Sequence, residues 1–119
     1  MNTQIYIVIN NSLNMSKGKA VTQACHGMTK MTVYMNKNNS IFWEKYTKSG
    51  EKKIVLKATN EQFEKLSEKY ENKTNKNIFC FKIIDAGFTQ IPAGSETCLV
   101  FCPIQTNEIP NDLKILKLY

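Results

Sequence analysis

Two stretches carry side chains whose types and spacing could do chemistry. The first is Lys17-Gly18-Lys19, followed by Gln23 and His26. Ser16 stands ready to cap a helix there, and a helix start exposes free N–H groups that suit an anion. Lys17 and Lys19 add positive charge to it. Lys19, Gln23, His26 and Lys30 recur at helical spacing and share one stripe, so Lys19 and Gln23 can address one point. The second stretch is Asp85 to Thr97, where an apolar run drops into an acid, Gly87, Thr89, Gln90, Pro92 and Gly94 before another apolar run leaves. Loops held between strands are where binding and catalytic groups concentrate. Asp, Thr and Gly are also ordinary turn formers, so the residues alone leave turn chemistry and a site both open.

Other chemistries fit poorly. The glycine spacing of a Walker A loop is missing. His26 is the sole histidine and has no acid near it in sequence; Cys25 beside it faces another side of the helix. Cys25, Cys80, Cys98 and Cys102 form no CxxC pair and no zinc pattern. Cys98 and Cys102 fall in one expected strand, where four residues span roughly 13 Å, too far for a disulfide. All four read as reduced thiols, mostly buried, and no metal site is expected.

The elements that must position these groups follow from periodicity. Gln4–Ile9 is apolar and β-branched and reads as a buried first strand. A helix is expected from near Lys17 to about Tyr34 or Met35. Val21, Ala24, Cys25, Met28, Thr32 and Met35 are its apolar set, the face expected to pack on the sheet. Ile41 to Tyr46 is aromatic and reads as a short helical turn, with Trp43 as packing. Lys53–Ala58 is a second strand. Thr59 to Gln62 fits a capping box, and Phe63, Leu66 and Tyr70 share one face of the helix it opens. Ile78–Ile84 is a third strand and Thr97–Cys102 a fourth. Thr106 is expected to cap a last short helix with Pro110 in its first turn, and the tail 112–119 reads as a helix end or an extended segment. The order β-α-β-α-β-β-α gives an α/β fold, a four-stranded mixed sheet covered by helices on both faces. Strands three and four are joined too tightly for a helical crossover, so they are either an antiparallel pair or non-adjacent.

At 119 residues the chain, residues 1–119, is expected to form a single domain. No apolar run approaches the roughly 20 residues of a membrane span. The first ten residues have no charged segment and no long apolar run, so neither a signal peptide nor a membrane partner is expected, and the expected compartment is the cytoplasm. The formal charge is +6, and every basic residue is Lys. The excess is compatible with RNA, whose phosphates would be met by Lys, hydroxyls and backbone N–H groups rather than bidentate Arg forks.

Taken together, the stretches resemble the type 2 peptidyl-tRNA hydrolase family, the archaeal and eukaryotic form. The resemblance runs nearly end to end. It rests on Met15-Ser16-Lys17-Gly18-Lys19, Gln23, His26, Trp43-Glu44, Asp85-Ala86-Gly87-Phe88-Thr89-Gln90-Ile91, Gly94-Ser95-Glu96-Thr97 and the terminal Leu116-Lys117-Leu118-Tyr119. It implies hydrolysis of the ester joining a peptide to the terminal ribose of tRNA, with no metal or organic cofactor. The implied catalytic set is Lys19, Gln23, Asp85, Thr89 and Thr97; Lys17, Gly18, His26 and Gln90 are implied tRNA-binding neighbours. Peptidyl-tRNA is the implied partner, and the family's habit implies a possible homodimer. The alternative is a non-catalytic member that binds tRNA or a protein. The sequence departs from the family after the first strand, where Asn10 and Ser12 stand in place of Arg-x-Asp.

Overall fold

β1 (Thr3–Asn10) is buried along its whole length and forms the middle of the sheet. A computed structural model describes residues 2–38, 40–87 and 91–119. After β1 come a 3₁₀ turn (Asn11–Leu13), α1 (Lys17–Lys37), α2 (Ile41–Lys48), β2 (Lys53–Ala58) and α3 (Asn60–Tyr70). Then follow β3 (Cys80–Ile84), β4 (Glu96–Phe101), β5 (Ile104–Gln105), a second 3₁₀ turn (Thr106–Glu108), α4 (Asn111–Lys114) and β6 (Lys117–Leu118). None of the described helices is long and apolar enough to cross a membrane.

The sheet order is β3-β4-β1-β2-β6, with β5 pairing β1 at its beginning. The mixed α/β class is as expected, but the described sheet has six strands rather than four, and the order is β-α-α-β-α-β-β-β-α-β rather than β-α-β-α-β-β-α. The two extra strands are two residues each, too short to show an alternating pattern. β1 and β2 run parallel, as a helical crossover demands, and β3 and β4 are antiparallel. The crossover through α3 carries the chain past β1 to the far edge, so β3 borders β4 and not β2. Antiparallel β4 closes the gap against β1.

Alternation along the strands divides the core in two. Ile5, Ile7 and Ile9 face α1 and α2 together with Phe81, Ile83 and Val100. Tyr6, Val8, Leu56, Leu99 and Phe101 face the other way, onto Phe63, Leu66 and Tyr70 of α3 and Leu113 of α4. Both faces are therefore covered by helices. Trp43 stacks on Tyr46 at 5.3 Å and donates its ring N–H to Asn36 Oδ1, a packing role.

Three expectations at element level need correction. β3 starts at Cys80 rather than Ile78. Thr106 opens a 3₁₀ turn with no side-chain cap, and Pro110 is the N-cap of α4 rather than a first-turn residue. The third correction is the orientation of α1. Its buried residues are Lys19, Ala20, Gln23, Gly27, Met31 and Met35, whereas Val21 is 62% exposed and Cys25 is exposed. The helix is turned by roughly one residue's step of about 100° from the expected apolar face. Gly27 shows what holds it there: a Cβ at that position would lie 2.1 Å from Val100 Cγ2, so the helix sits as close to β4 as a glycine permits.

Candidate active site

The rotation of α1 brings Lys19 and Gln23 inward. Ser16 caps the helix, its hydroxyl accepting from Lys19 N at 3.3 Å, so Lys19 stands in the first turn with its side chain aimed at the end of β3. There its ammonium pairs with Asp85 Oδ1, both side chains being buried. Taking two charges out of water is costly and is tolerated where each neutralises the other.

Asp85 is held from its own loop as well. Its Oδ2 accepts from Gly87 N at 2.9 Å, its N–H donates to Ser95 O at 2.9 Å, and its C=O accepts from Gly94 N at 3.0 Å. Gly87 has φ +88°, and a Cβ there would lie 2.5 Å from Ala93 Cβ; no side chain fits that turn. The loop is thus tied across its neck, and the carboxylate is a fixed feature of the strand end.

One helical turn past Lys19, buried Gln23 meets buried Thr97 at the start of β4. Thr97 Oγ1 lies 2.7 Å from Gln23 Oε1 and 3.1 Å from Ile83 O. The hydroxyl has one proton and serves one of these acceptors at a time. With the amide turned so that Nε2 faces Thr97, Gln23 donates to Thr97, Thr97 donates to Ile83, and the Gln23 oxygen is left as an acceptor. Cys98 Sγ lies 3.4 Å from Gln23 O on the core side, where burial pushes the thiol up to about 12 and leaves it inert.

The structure therefore joins Lys19 with Asp85 and Gln23 with Thr97, across separations of 66 and 74 residues. Lys17, Gly18 and His26 are exposed and do not enter these contacts. Thr89 and Gln90 lie outside the described residues. No group of three or more His, Cys, Asp or Glu is gathered to hold a metal among the described residues.

Asn10 is a residue that spacing alone undervalued. Buried at the end of β1, it donates through Nδ2 to Glu96 O at 3.1 Å and accepts at Oδ1 from Ser12 N and Ser12 Oγ at 3.2 and 2.6 Å. A neutral Asn–Ser contact occupies this turn and ties β1 to the residue before Thr97. The available signal was a polar residue closing an apolar strand beside a helix N-terminus, the usual place for a site in an open sheet.

Chemically, the cluster offers a carboxylate, an ammonium, an amide and a hydroxyl at one strand-end crevice. Such a set can orient water, donate to a developing oxyanion and hold sugar hydroxyls. Comparison with known proteins supplies the reaction. Residues 3–119 match the family model described as peptidyl-tRNA hydrolase PTH2. A peptidyl-tRNA hydrolase of Methanococcus maripaludis (strain C6) is 38% identical over 112 residues, 94% of this chain and 95% of its own. One from Sulfurisphaera tokodaii is 33% identical over 123 residues, 98% of this chain and all of its own. One from Methanocaldococcus jannaschii is 30% identical over 115 residues, covering 97% and 98% of the two chains.

Proposed function

The chain belongs to the peptidyl-tRNA hydrolase PTH2 family and hydrolyses the ester between peptide and tRNA, and we propose that Lys19, Gln23, Asp85, Thr89 and Thr97 are the residues that do it. The observation that supports this assignment is the buried Lys19–Asp85 pair beside the Gln23–Thr97 contact, at the strand ends where α1 begins. A buried ion pair is a poor source of stability, so its presence fits a chemical duty better than a structural one.

In this reading water attacks the ester carbonyl and the bond to the ribose oxygen breaks. The ribose oxygen leaves with the bonding pair and takes back the proton that Asp85 removed from the water, restoring the tRNA hydroxyl, and the peptide acid ionises to a carboxylate. Asp85 orients the attacking water and receives its proton; Lys19 holds Asp85 in place and donates to the oxyanion. Removing one oxyanion donor costs about 10²–10³ in kcat, and general-base catalysis contributes about 10²–10⁴. Gln23 and Thr97 position the ribose or the water, and Thr89 adds a hydroxyl from the loop. Lys17, Gly18, His26 and Gln90 serve as tRNA contacts, with the N-terminus of α1 receiving a phosphate.

The enzyme acts in the cytoplasm, where tRNA is charged and used, and binds tRNA there. It pairs as a homodimer through the apolar residues Ile41 and Phe42, which are 60% and 45% exposed. Sedimentation of the wild type and Phe42→Ser reads that last point. The catalytic assignment is tested by single turnover of peptidyl-tRNA with Asp85→Asn and Lys19→Ala. Losses of at least a hundredfold are expected; near-full activity in both variants would overturn it.

A further inference from the structure

The apolar flank of α1 that does not pack on β4 opens onto a groove. Val21, Ala24, Cys25 and Met28 form one wall, and Val55 and Tyr119 stand opposite, enclosing about 450 Å³. The floor is the β1–β2 part of the sheet that α1 leaves bare, and the lining is almost wholly apolar.

The rim is cationic. In β2 the residues on this side of the sheet are Lys53, Val55 and Lys57. Lys117 of β6 stands directly opposite Lys57, and both are exposed. Lys17 lies one turn before Val21 on the same flank of α1. Lys53 stands toward the other end, its ammonium 5.5 Å from the centre of the Tyr46 ring. None of these four lysines has a carboxylate partner among the described residues. The Lys57–Lys117 pair is informative. Like charges directly opposite in an antiparallel ladder destabilise it, and here they face each other across a two-residue edge strand. A polyanion relieves that repulsion.

We propose that this groove holds the single-stranded nucleotides of the tRNA that precede the esterified ribose. The inference rests on the reading that the ester is cut at Lys19–Asp85. Phosphates meet Lys57, Lys117 and Lys17, while base faces lie on Tyr119 and the apolar walls, as single strands do on other proteins. A second copy of the chain would bring an identical lysine rim into the same interface, which charge disfavours. The place also suits the substrate. Lys57 pairs with Ile9, one residue before Asn10 at the site end of β1. Only the first turn of α1, about 10–12 Å across with its side chains, separates the groove from Lys19. A few nucleotides bridge that distance.

The test compares the full chain with Lys57→Glu/Lys117→Glu and with Tyr119→Ala. A control, Lys45→Glu/Lys76→Glu, changes net charge equally elsewhere. Each is assayed on peptidyl-tRNA and on peptidyl-adenosine, which keeps the ester and lacks the preceding nucleotides. The double reversal should raise KM for peptidyl-tRNA and lower the slope of log affinity against log salt by about 1.4, or roughly 0.7 per lost contact. Tyr119→Ala should raise KM roughly five- to a hundredfold, the range of one base–aromatic stack. Neither should change kcat/KM for peptidyl-adenosine more than about twofold. Lys57→Ala/Lys117→Ala serves if the reversal fails to fold. Equal losses on both substrates, unchanged KM on both, or conversion of a wild-type dimer to monomers by the groove variants would each overturn the proposal. Affinity for uncharged tRNA, whole and with its last four nucleotides removed, reads the groove apart from catalysis. Wild-type protein should lose affinity on trimming and the groove variants should not. Failure of the wild type to cleave either ester would overturn the site reading while that binding comparison still decides the groove.

Discussion

The helices on the two faces of the sheet obey different rules. α3 follows every local rule for a stable helix. Thr59 and Gln62 close a capping box, Glu61 sits in the first turn and Lys69 in the last, and Lys65 pairs with Glu61 one turn away at 3.1 Å. It buries Phe63, Leu66 and Tyr70, the residues its spacing selects. α1 breaks those rules. It has no acid in its first turn, and indeed none in its 21 residues. It buries a lysine and a glutamine and leaves Val21 in solvent. Its N-terminus, capped by Ser16 but without an acid, is a place for an anion, and its buried polar groups face Asp85 and Thr97. Departures from local consistency gather where function is; α3 holds the fold, and α1 carries the proposed catalytic residues on one flank and the proposed groove on the other.

The largest effect should come from breaking the buried pair. Lys19→Met alone should cost about 3–5 kcal/mol in urea unfolding, because Asp85 is left buried without its cation. Lys19→Met with Asp85→Leu should recover most of that stability and none of the activity. A single mutant as stable as the wild type would show that α1 owes nothing to the pair. Next, Gly27→Ala should destabilise by about 1–2 kcal/mol net. The clash with Val100 costs about 1–3 and better helix propensity returns up to about 1. Gly18→Ala has nothing within 4 Å of its Cβ, so its stability should stay within about 0.5 kcal/mol of the wild type or rise slightly. Thermal melts of the two variants decide whether close packing on β4 sets the rotation of α1. On the other face, Thr59→Ala should lower stability by about 1 kcal/mol and leave kcat/KM unchanged. A loss of turnover there would mean that α3 is not merely a support. The smallest perturbation is chemical labelling. A thiol reagent should modify exposed Cys25 rapidly, while Cys80, whose thiol burial under α3 pushes far up, should react only on unfolding.

Much of the molecule was legible before any coordinates. The first strand, the Ser16 and Thr59 caps, β2 and β4 all follow from runs and caps, while loop length left strands three and four either antiparallel neighbours or apart, and the structure makes them neighbours. Asp85, Lys19, Gln23 and Thr97 were legible as candidates from their types and spacing, but such residues also serve turns and caps, and it was the family resemblance that chose them. β5 and β6 were not legible, since two residues carry no period and are strands only because β1 and β2 offer them free edges. Nor was the turn of α1. Its apolar spacing pointed Val21, Cys25 and Met28 inward, and summed local preference had no means of valuing partners 66 and 74 residues away. By itself the sequence determined which of the longer elements form and which side chains could do chemistry, because these depend on neighbours within a turn or two. Only the tertiary structure decided which face of α1 is inside. The ion pair with Asp85, the contact with Thr97 and the close approach of Gly27 to Val100 exist only once the sheet has assembled, so no local apolar spacing could count them.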